Sequence, residues 1–274
     1  MVTGANAGIG KETAVVLAER GARVVMVCRN RARGEPALAE IKARSGNDTV
    51  ALLTADFASQ QQIRALADAY RRTYDRLDVL VNNAGLHRFR RHETEDGIEL
   101  TWAVNHLAPF LLTNLLLDVL KAGAPARIVV VSSESHRDGW IDFEDLAIRR
   151  FYRGMAAYAR SKRANVLFTY ELARRLAGTG VTATCLHPGM VATRMWHRNN
   201  GFLRYGLGLL KPLFLSPEEG ARPVVRLAVD PALNGVTGTY FNRMRPARSA
   251  PSSYDVAIAR RLWAVSSEMV GVAV

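Results

Sequence analysis

Short runs that are apolar at every position alternate along the chain with stretches whose apolar residues recur at helical spacing. Val24-Val25-Met26-Val27, Val79-Leu80-Val81 and Ile128-Val129-Val130-Val131 are runs of the first kind. A strand covered by helices on both faces needs that pattern, whereas a half-exposed strand would alternate. Val50 to Ala55 and Ala183 to Leu186 are weaker members of the set. Between the runs, the spacing predicts helices over Lys11–Arg20, Arg31–Arg44, Gln60–Tyr74, Ile98–Leu120 and Ala157–Leu176. Ser216-Pro217-Glu218-Glu219 marks a further helix start: an N-cap, a proline at the first position and an acid to reach back. The expected fold is α/β, a single doubly wound parallel sheet of Rossmann type with helices on both faces, forming one domain over residues 1–274. Only Met1 and Val2 precede the first glycine turn, and strands usually run to about five residues. The first strand is therefore expected to be a stub that leaves the fold less stable.

Composition narrows the class. Hydrophobic residues make up 49% of the 274 and charged residues 23%, a globular balance. Two cysteines exclude a disulfide framework, and no cysteine-based metal site is expected. No apolar run is long enough to span a bilayer, and no signal peptide pattern opens the chain, so a cytoplasmic protein is expected. Thirty-seven Lys+Arg against 25 Asp+Glu give a formal net charge of +12. The basic residues are scattered, densest at Arg88, Arg90 and Arg91, which fits a solvated surface better than a nucleic-acid footprint.

The chemistry begins at Thr3-Gly4-Ala5-Asn6-Ala7-Gly8-Ile9-Gly10, which leads into a helix. Glycines let the backbone turn sharply and approach a ligand, and the helix N-terminus presents N–H groups and partial positive charge to a pyrophosphate. The spacing is G-x-x-x-G-x-G rather than the general dinucleotide fingerprint. Here the sequence resembles the short-chain dehydrogenase/reductase family. The resemblance continues in Asn82-Asn83-Ala84-Gly85, in Tyr158-Ala159-Arg160-Ser161-Lys162 and in His187-Pro188-Gly189, four motifs in the family's order. It implies cofactor contacts at Gly4, Asn6, Gly8, Ile9, Gly10, Asn83, Ala84, Gly85, Tyr158, Lys162, Pro188, Gly189, Val191 and Thr193, with Thr193 bonding the nicotinamide carboxamide. Asp56, after the third strand, would hold the adenine amino group.

The second strand ends Val27-Cys28-Arg29-Asn30, with no acid before Glu35. An acid there suits the 2′-hydroxyl of NAD and an arginine the 2′-phosphate of NADP, because a guanidinium matches phosphate oxygens in a charged fork. Arg29 therefore points to NADP(H), with Lys11 adding to the positive field.

Tyr158 and Lys162 stand four apart and share a helix face. Carbonyl reduction needs a proton donor, and the reverse reaction a base. Free tyrosine titrates near about 10, and lowering it by about two to three units takes roughly 3–4 kcal/mol. An ammonium about 4 Å away at an effective dielectric near 20 supplies roughly that much. Ser133 follows the strand 128–131 at the carboxyl edge, where its hydroxyl can donate to a developing alkoxide; Ser132 is adjacent, and the resemblance selects Ser133. Asn105 resembles the helix asparagine that completes the family's tetrad and holds a water in the proton relay, and an asparagine in an apolar helix needs bonded partners. His106 reads as structural.

Several stretches resemble the retinol dehydrogenase-like branch: Thr94-Glu95-Asp96-Gly97-Ile98-Glu99, Val104-Asn105-His106-Leu107, Ser216-Pro217-Glu218-Glu219-Gly220-Ala221, Gly238-Thr239-Tyr240-Phe241 and Arg261-Leu262-Trp263. Membrane members of that branch carry an N-terminal anchor, and none precedes the glycine turn here. The segment between Ser133 and Tyr158 is long and contains Trp140, Phe143, Phe151 and Tyr152, as a substrate wall or a surface excursion with its own apolar cluster. Residues 196–215, apolar and broken by glycines, read as a substrate lid, or as a peripheral membrane contact aided by Arg204 and Lys211. The expected function is NADP(H)-dependent interconversion of a lipophilic alcohol and its aldehyde or ketone. The alternative is a catalytically weak NADP(H)-binding scaffold or sensor of the same fold. The resemblance also implies a homodimer paired through helices 98–120 and 157–177.

Overall fold

A computed structural model describes residues 1–146, 148–149, 151–191 and 214–273. The chain runs β1 (Val2–Thr3), α1 (Gly8–Glu19), β2 (Val25–Cys28), α2 (Arg31–Ser45), β3 (Ala51–Thr54), α3 (Gln60–Thr73) and β4 (Val79–Asn82). Next come α4 (Leu100–Trp102), α5 (Ala108–Leu115), α6 (Leu117–Ala122), β5 (Ala126–Val131), α7 (Gly154–Arg175) and β6 (Val181–His187). The described remainder adds α8 (Pro217–Val229), β7 (Thr239–Asn242), β8 (Arg245–Pro246) and α9 (Val256–Val270). The sheet order is β3-β2-β1-β4-β5-β6-β7-β8, parallel except for the last pair.

The all-apolar strands feed two separate cores. In β5, Ile128 and Val130 join the cluster beneath α3, α5, α7 and α9, while Val129 and Val131 join the one beneath α1, α2 and α8. Successive strand residues point to opposite faces, so both faces must be apolar. The strand order reverses between β1 and β4, and both point their carboxyl ends at the same crevice. That is where the glycine turn opens.

Two expectations meet a different structure. The helix expected over 98–120 is broken: α4 passes into a π turn at Ala103–Leu107, then α5 and α6. Pro109 has no N–H, so the Asn105 carbonyl loses its α-helical partner at that point. The second concerns pairing. From Ala157 to Ala173, α7 is buried at every position but Arg160, because α9 covers the side turned away from the sheet. Trp263 of α9 packs 4.9 Å from Phe110 and 5.7 Å from Phe168, and His106 Nε2 lies 2.9 Å from Ser266 Oγ. The helices expected to pair two copies are thus covered by the chain's own last helix. The capping box at Ser216 is present as expected, with Glu219 and Ser216 each bonding the other's backbone. Among the described residues, no helix is long and apolar enough to cross a membrane.

The stub expected at β1 is two residues long and pairs with β2 and β4. Adding apolar residues upstream to lengthen β1 should raise Tm, measured by thermal unfolding; no gain in Tm would contradict the stub's weakness.

Candidate active site

Thr3 stitches the ends of β1 and β4 together. Its hydroxyl donates to the Val81 carbonyl at 3.2 Å and accepts the Asn83 and Ala84 N–H groups at 2.9 and 3.0 Å. Asn83 answers with its amide on the Thr3 carbonyl at 2.8 Å. Gly4 and Gly8 sit at φ +68° and +57°, which side chains rarely adopt. A Cβ on Gly10 would lie 2.5 Å from the Gly4 oxygen and 2.4 Å from Asn83 Nδ2, so no larger residue fits there. The turn closes onto α1, whose N-cap Ala7 has no capping side chain and whose first turn carries no acid. An uncapped helix start with that charge fits a pyrophosphate.

At the end of β2, Arg29 is half exposed and holds Asp56 in a loose ion pair, Nε to Oδ2 3.9 Å. Such a pair contributes little and yields readily to a stronger anion. Asn30 caps α2 by accepting the Arg33 N–H. Lys11 does not add to the positive field as expected. Its ammonium is 2.5 Å from Glu40 and 3.7 Å from Glu12, which neutralise it.

At the carboxyl edge, α7 brings Tyr158 and Lys162 against the exit of β5. Lys162 Nζ donates to the Val131 carbonyl at 2.9 Å, and Ser132 Oγ donates to the Lys162 carbonyl at 2.9 Å. The two serines are thereby told apart: Ser132 ties strand to helix, while the Ser133 hydroxyl stands by the Tyr158 phenol and favours its ionised form. Lys162 Nζ stands 5.6 Å from the centre of the Tyr158 ring. A Cβ on Gly85 would lie 3.5 Å from that ammonium and 3.3 Å from Asn105 Oδ1, so the Asn-Ala-Gly turn runs directly past both. Asn105, buried in the π turn, accepts the Leu86 N–H at 2.8 Å and donates to the Leu86 carbonyl and Ser161 Oγ. Its side chain fastens this turn.

The electrostatics differ from the expected acidic phenol. Burial pushes Tyr158 up to about 12, with the Ser133 hydrogen bond pulling the other way. Burial pulls Lys162 down to about 8. Desolvation outweighs the ammonium's attraction for a phenolate, so the phenol of the ligand-free protein is a proton donor.

Pro188, Gly189 (φ +100°) and Val191 follow β6, and Val191 bridges to Leu215 beside Gly189. Thr193 and the lid expected over 196–215, save residues 214–215, lie outside the described residues. The segment between Ser133 and Tyr158 is divided: Phe143 and Ile141 pack on the core, while Trp140 and Phe151 stand in solvent. His106 is structural as expected, buried and pulled down to about 3. Sequence reasoning missed His87, whose ring meets Tyr158 edge-on at 5.7 Å, and Ser161, Arg163 and His136 around the same cluster. Ser161 and Arg163 flank Lys162 in the chain, and that adjacency was the available signal.

A neutral phenol and an ammonium taken out of water, with a half-buried serine hydroxyl at the phenol and a phosphate-accepting turn nearby, define an oxidoreductase that works with a nicotinamide dinucleotide. Comparison with known proteins narrows the class. The short chain dehydrogenase family profile matches residues 1–202. Retinol dehydrogenase 13 of Homo sapiens is 45% identical, over 99% of this chain and 84% of its own. Retinol dehydrogenase 14 of Homo sapiens is 42% identical, over 99% and 85%. Among solved structures, an uncharacterized protein from Mycobacterium Paratuberculosis superposes with TM-score 0.79 at 33% identity, covering 98% of this chain and 92% of that one. The RhlG/NADP active-site complex of Pseudomonas aeruginosa gives TM-score 0.71 at 26% identity, over 88% and 92%. The chain belongs to the short-chain dehydrogenase/reductase family, in its retinol dehydrogenase-like branch.

Gly10→Ala should force its methyl against the Gly4 carbonyl and open the turn. Dinucleotide affinity, measured by quenching of tryptophan fluorescence, should fall at least about tenfold, and overpacking should cost about 1–3 kcal/mol of stability. Binding within about twofold of wild type would contradict the reading of this turn.

Proposed function

We propose that this protein is an NADP(H)-dependent oxidoreductase that interconverts a lipophilic alcohol and its aldehyde or ketone, with Tyr158 as the acid/base. The observation that carries it is the buried pair of Tyr158 and Lys162 beside Gly85, with the half-buried Ser133 at the phenol. The bound nicotinamide dinucleotide supplies the hydride donor or acceptor. In reduction, Tyr158 gives its proton to the carbonyl oxygen, and Ser133 Oγ hydrogen-bonds the oxygen as charge develops on it. A phenol held near 12 keeps its proton until an acceptor as basic as an alkoxide forms. Lys162, directed past Gly85, holds a ribose hydroxyl and carries the local positive charge. Asn105 fixes the Leu86 backbone, and thereby the course of the turn beneath the cofactor.

Arg29, only loosely paired with Asp56, would hold the 2′-phosphate, and Asp56 the adenine amino group. Gly4, Asn6, Gly8, Ile9 and Gly10 cradle the pyrophosphate. Asn83, Ala84 and Gly85 line the ribose side, and Pro188, Gly189, Val191 and Thr193 the nicotinamide. The relatives' names point to retinol-like alcohols, which fits the apolar residues expected to form the lid. A cytoplasmic location is part of this reading, with any membrane contact only peripheral. A homodimer, where one forms, would pair through a surface other than α5 and α7, which α9 covers.

Two measurements test it. NADPH oxidation with decanal, an aliphatic ketone and retinaldehyde should show turnover in the wild type. Tyr158→Phe should lower it by at least about a hundredfold while NADPH Kd stays within about twofold. NADPH binding without turnover of any carbonyl would favour the scaffold reading instead. Separately, Arg29→Asp should weaken NADPH relative to NADH by about ten- to a hundredfold, since a charged fork contact is worth about 1.5–3 kcal/mol. An unchanged cofactor ratio would refute the NADP assignment.

A further inference from the structure

We propose that His136 is a positioning residue: it fixes the main chain of Ser133 so that the serine hydroxyl stays within reach of Tyr158. This rests on the catalytic reading of Ser133 and Tyr158 above. His136 is wholly buried, in a short 3-10 turn (Glu134–Asp138) that begins directly after Ser133. Its Nε2 lies 3.1 Å from the Ala250 backbone N–H, which can only donate. Nε2 is therefore the acceptor and the ring proton sits on Nδ1, 2.7 Å from the Ser133 carbonyl oxygen. Neutral imidazole thus donates to Ser133 with one nitrogen and accepts from the chain's far end with the other. Glu134, Arg137, Arg163 and His187 are the charged and titratable groups around it, and Tyr240 packs its ring 4.7 Å away.

Arg163 makes the arrangement rigid. Standing one residue after Lys162, it donates from Nε to the His136 carbonyl at 2.6 Å and from Nη2 to the Arg137 carbonyl at 2.9 Å. Its Nη1 donates to Ser252 Oγ. The helix that carries Tyr158 and Lys162 thereby grips the turn that carries Ser133, and His136 and Arg163 both anchor that turn to residues 250–252. At the front, Ser133 Oγ accepts the Ser135 N–H at 3.2 Å. The serine is held at carbonyl and hydroxyl at once, its Oγ also donating to Ser135 Oγ at 3.3 Å, which limits how far it can move from Tyr158. Holding a reacting group in place is worth up to about a hundredfold in rate when a displacement of about 1 Å is avoided.

The test separates the two ring nitrogens. His136→Asn places an N–H near the position of Nδ1 and keeps the bond to Ser133. His136→Gln places its amide oxygen near Nε2 and keeps only the bond to Ala250. His136→Leu keeps neither. With the carbonyl that the wild type turns over best, kcat should stay within about threefold in the asparagine variant. It should fall about ten- to a hundredfold in the glutamine and leucine variants, with NADPH Kd within about twofold throughout. Equal losses in the asparagine and glutamine variants, full kcat in the glutamine variant, or kcat and NADPH affinity falling together with Tm, would overturn the proposal. Should the leucine variant fail to fold, the asparagine and glutamine pair decides. Tyr158→Phe, run beside them, separates the two failures: if it keeps turnover, the catalytic reading itself fails, whereas if it loses turnover while the asparagine and glutamine variants behave alike, only the positioning role does.

Discussion

Everything at the carboxyl edge depends on taking a phenol and an ammonium out of water together. Burial raises Tyr158 to about 12 and lowers Lys162 to about 8, so desolvation pushes both groups toward neutrality. Left alone, such a pair would be an expense without a use. The fold offsets it with directed bonds: the Val131 carbonyl faces the ammonium, and Ser133 meets the phenol. The result is a buried proton donor beside a fixed cation.

That arrangement needs α7 immobile on both sides. One side packs on the sheet, and Ser132 and Lys162 tie it to the exit of β5 in both directions. The other side is covered by α9, whose Trp263 wedges against Phe110 and Phe168 and carries the Arg175 guanidinium on its ring. The last helix of the chain therefore supports the site from behind. The 249–253 turn, just before it, reaches the turn after Ser133 through His136 and Arg163. The chain's two halves meet at one serine.

Much of this was legible in the sequence, for physical reasons that can be named. Strands buried on both faces announce themselves as unbroken apolar runs, and β2, β4 and β5 appear where those runs lie. The glycine turn was legible because only glycine tolerates its φ angles and its contact with Asn83. Ser133 and Ser132 were not separable, because their roles depend on which hydroxyl faces α7. The break in the helix around Asn105 was missed although Pro109 signalled it: the apolar run there is long enough to hide the proline. The direction of the Tyr158 shift was also missed. Pair spacing shows the ammonium's attraction but not the depth of burial, which turned out to be the larger effect. His136 and Arg163 had no periodicity to reveal them, since they work through backbone carbonyls far apart in sequence.

The central claim is that burial keeps the Tyr158 phenol protonated until cofactor and substrate arrive. The near-ultraviolet difference spectrum of wild type minus Tyr158→Phe, followed with pH, reads that one phenol. Without cofactor it should ionise well above ordinary tyrosine, toward about 12, and with NADP+ bound its midpoint should fall. A midpoint already below that of free tyrosine in the cofactor-free protein would contradict the account.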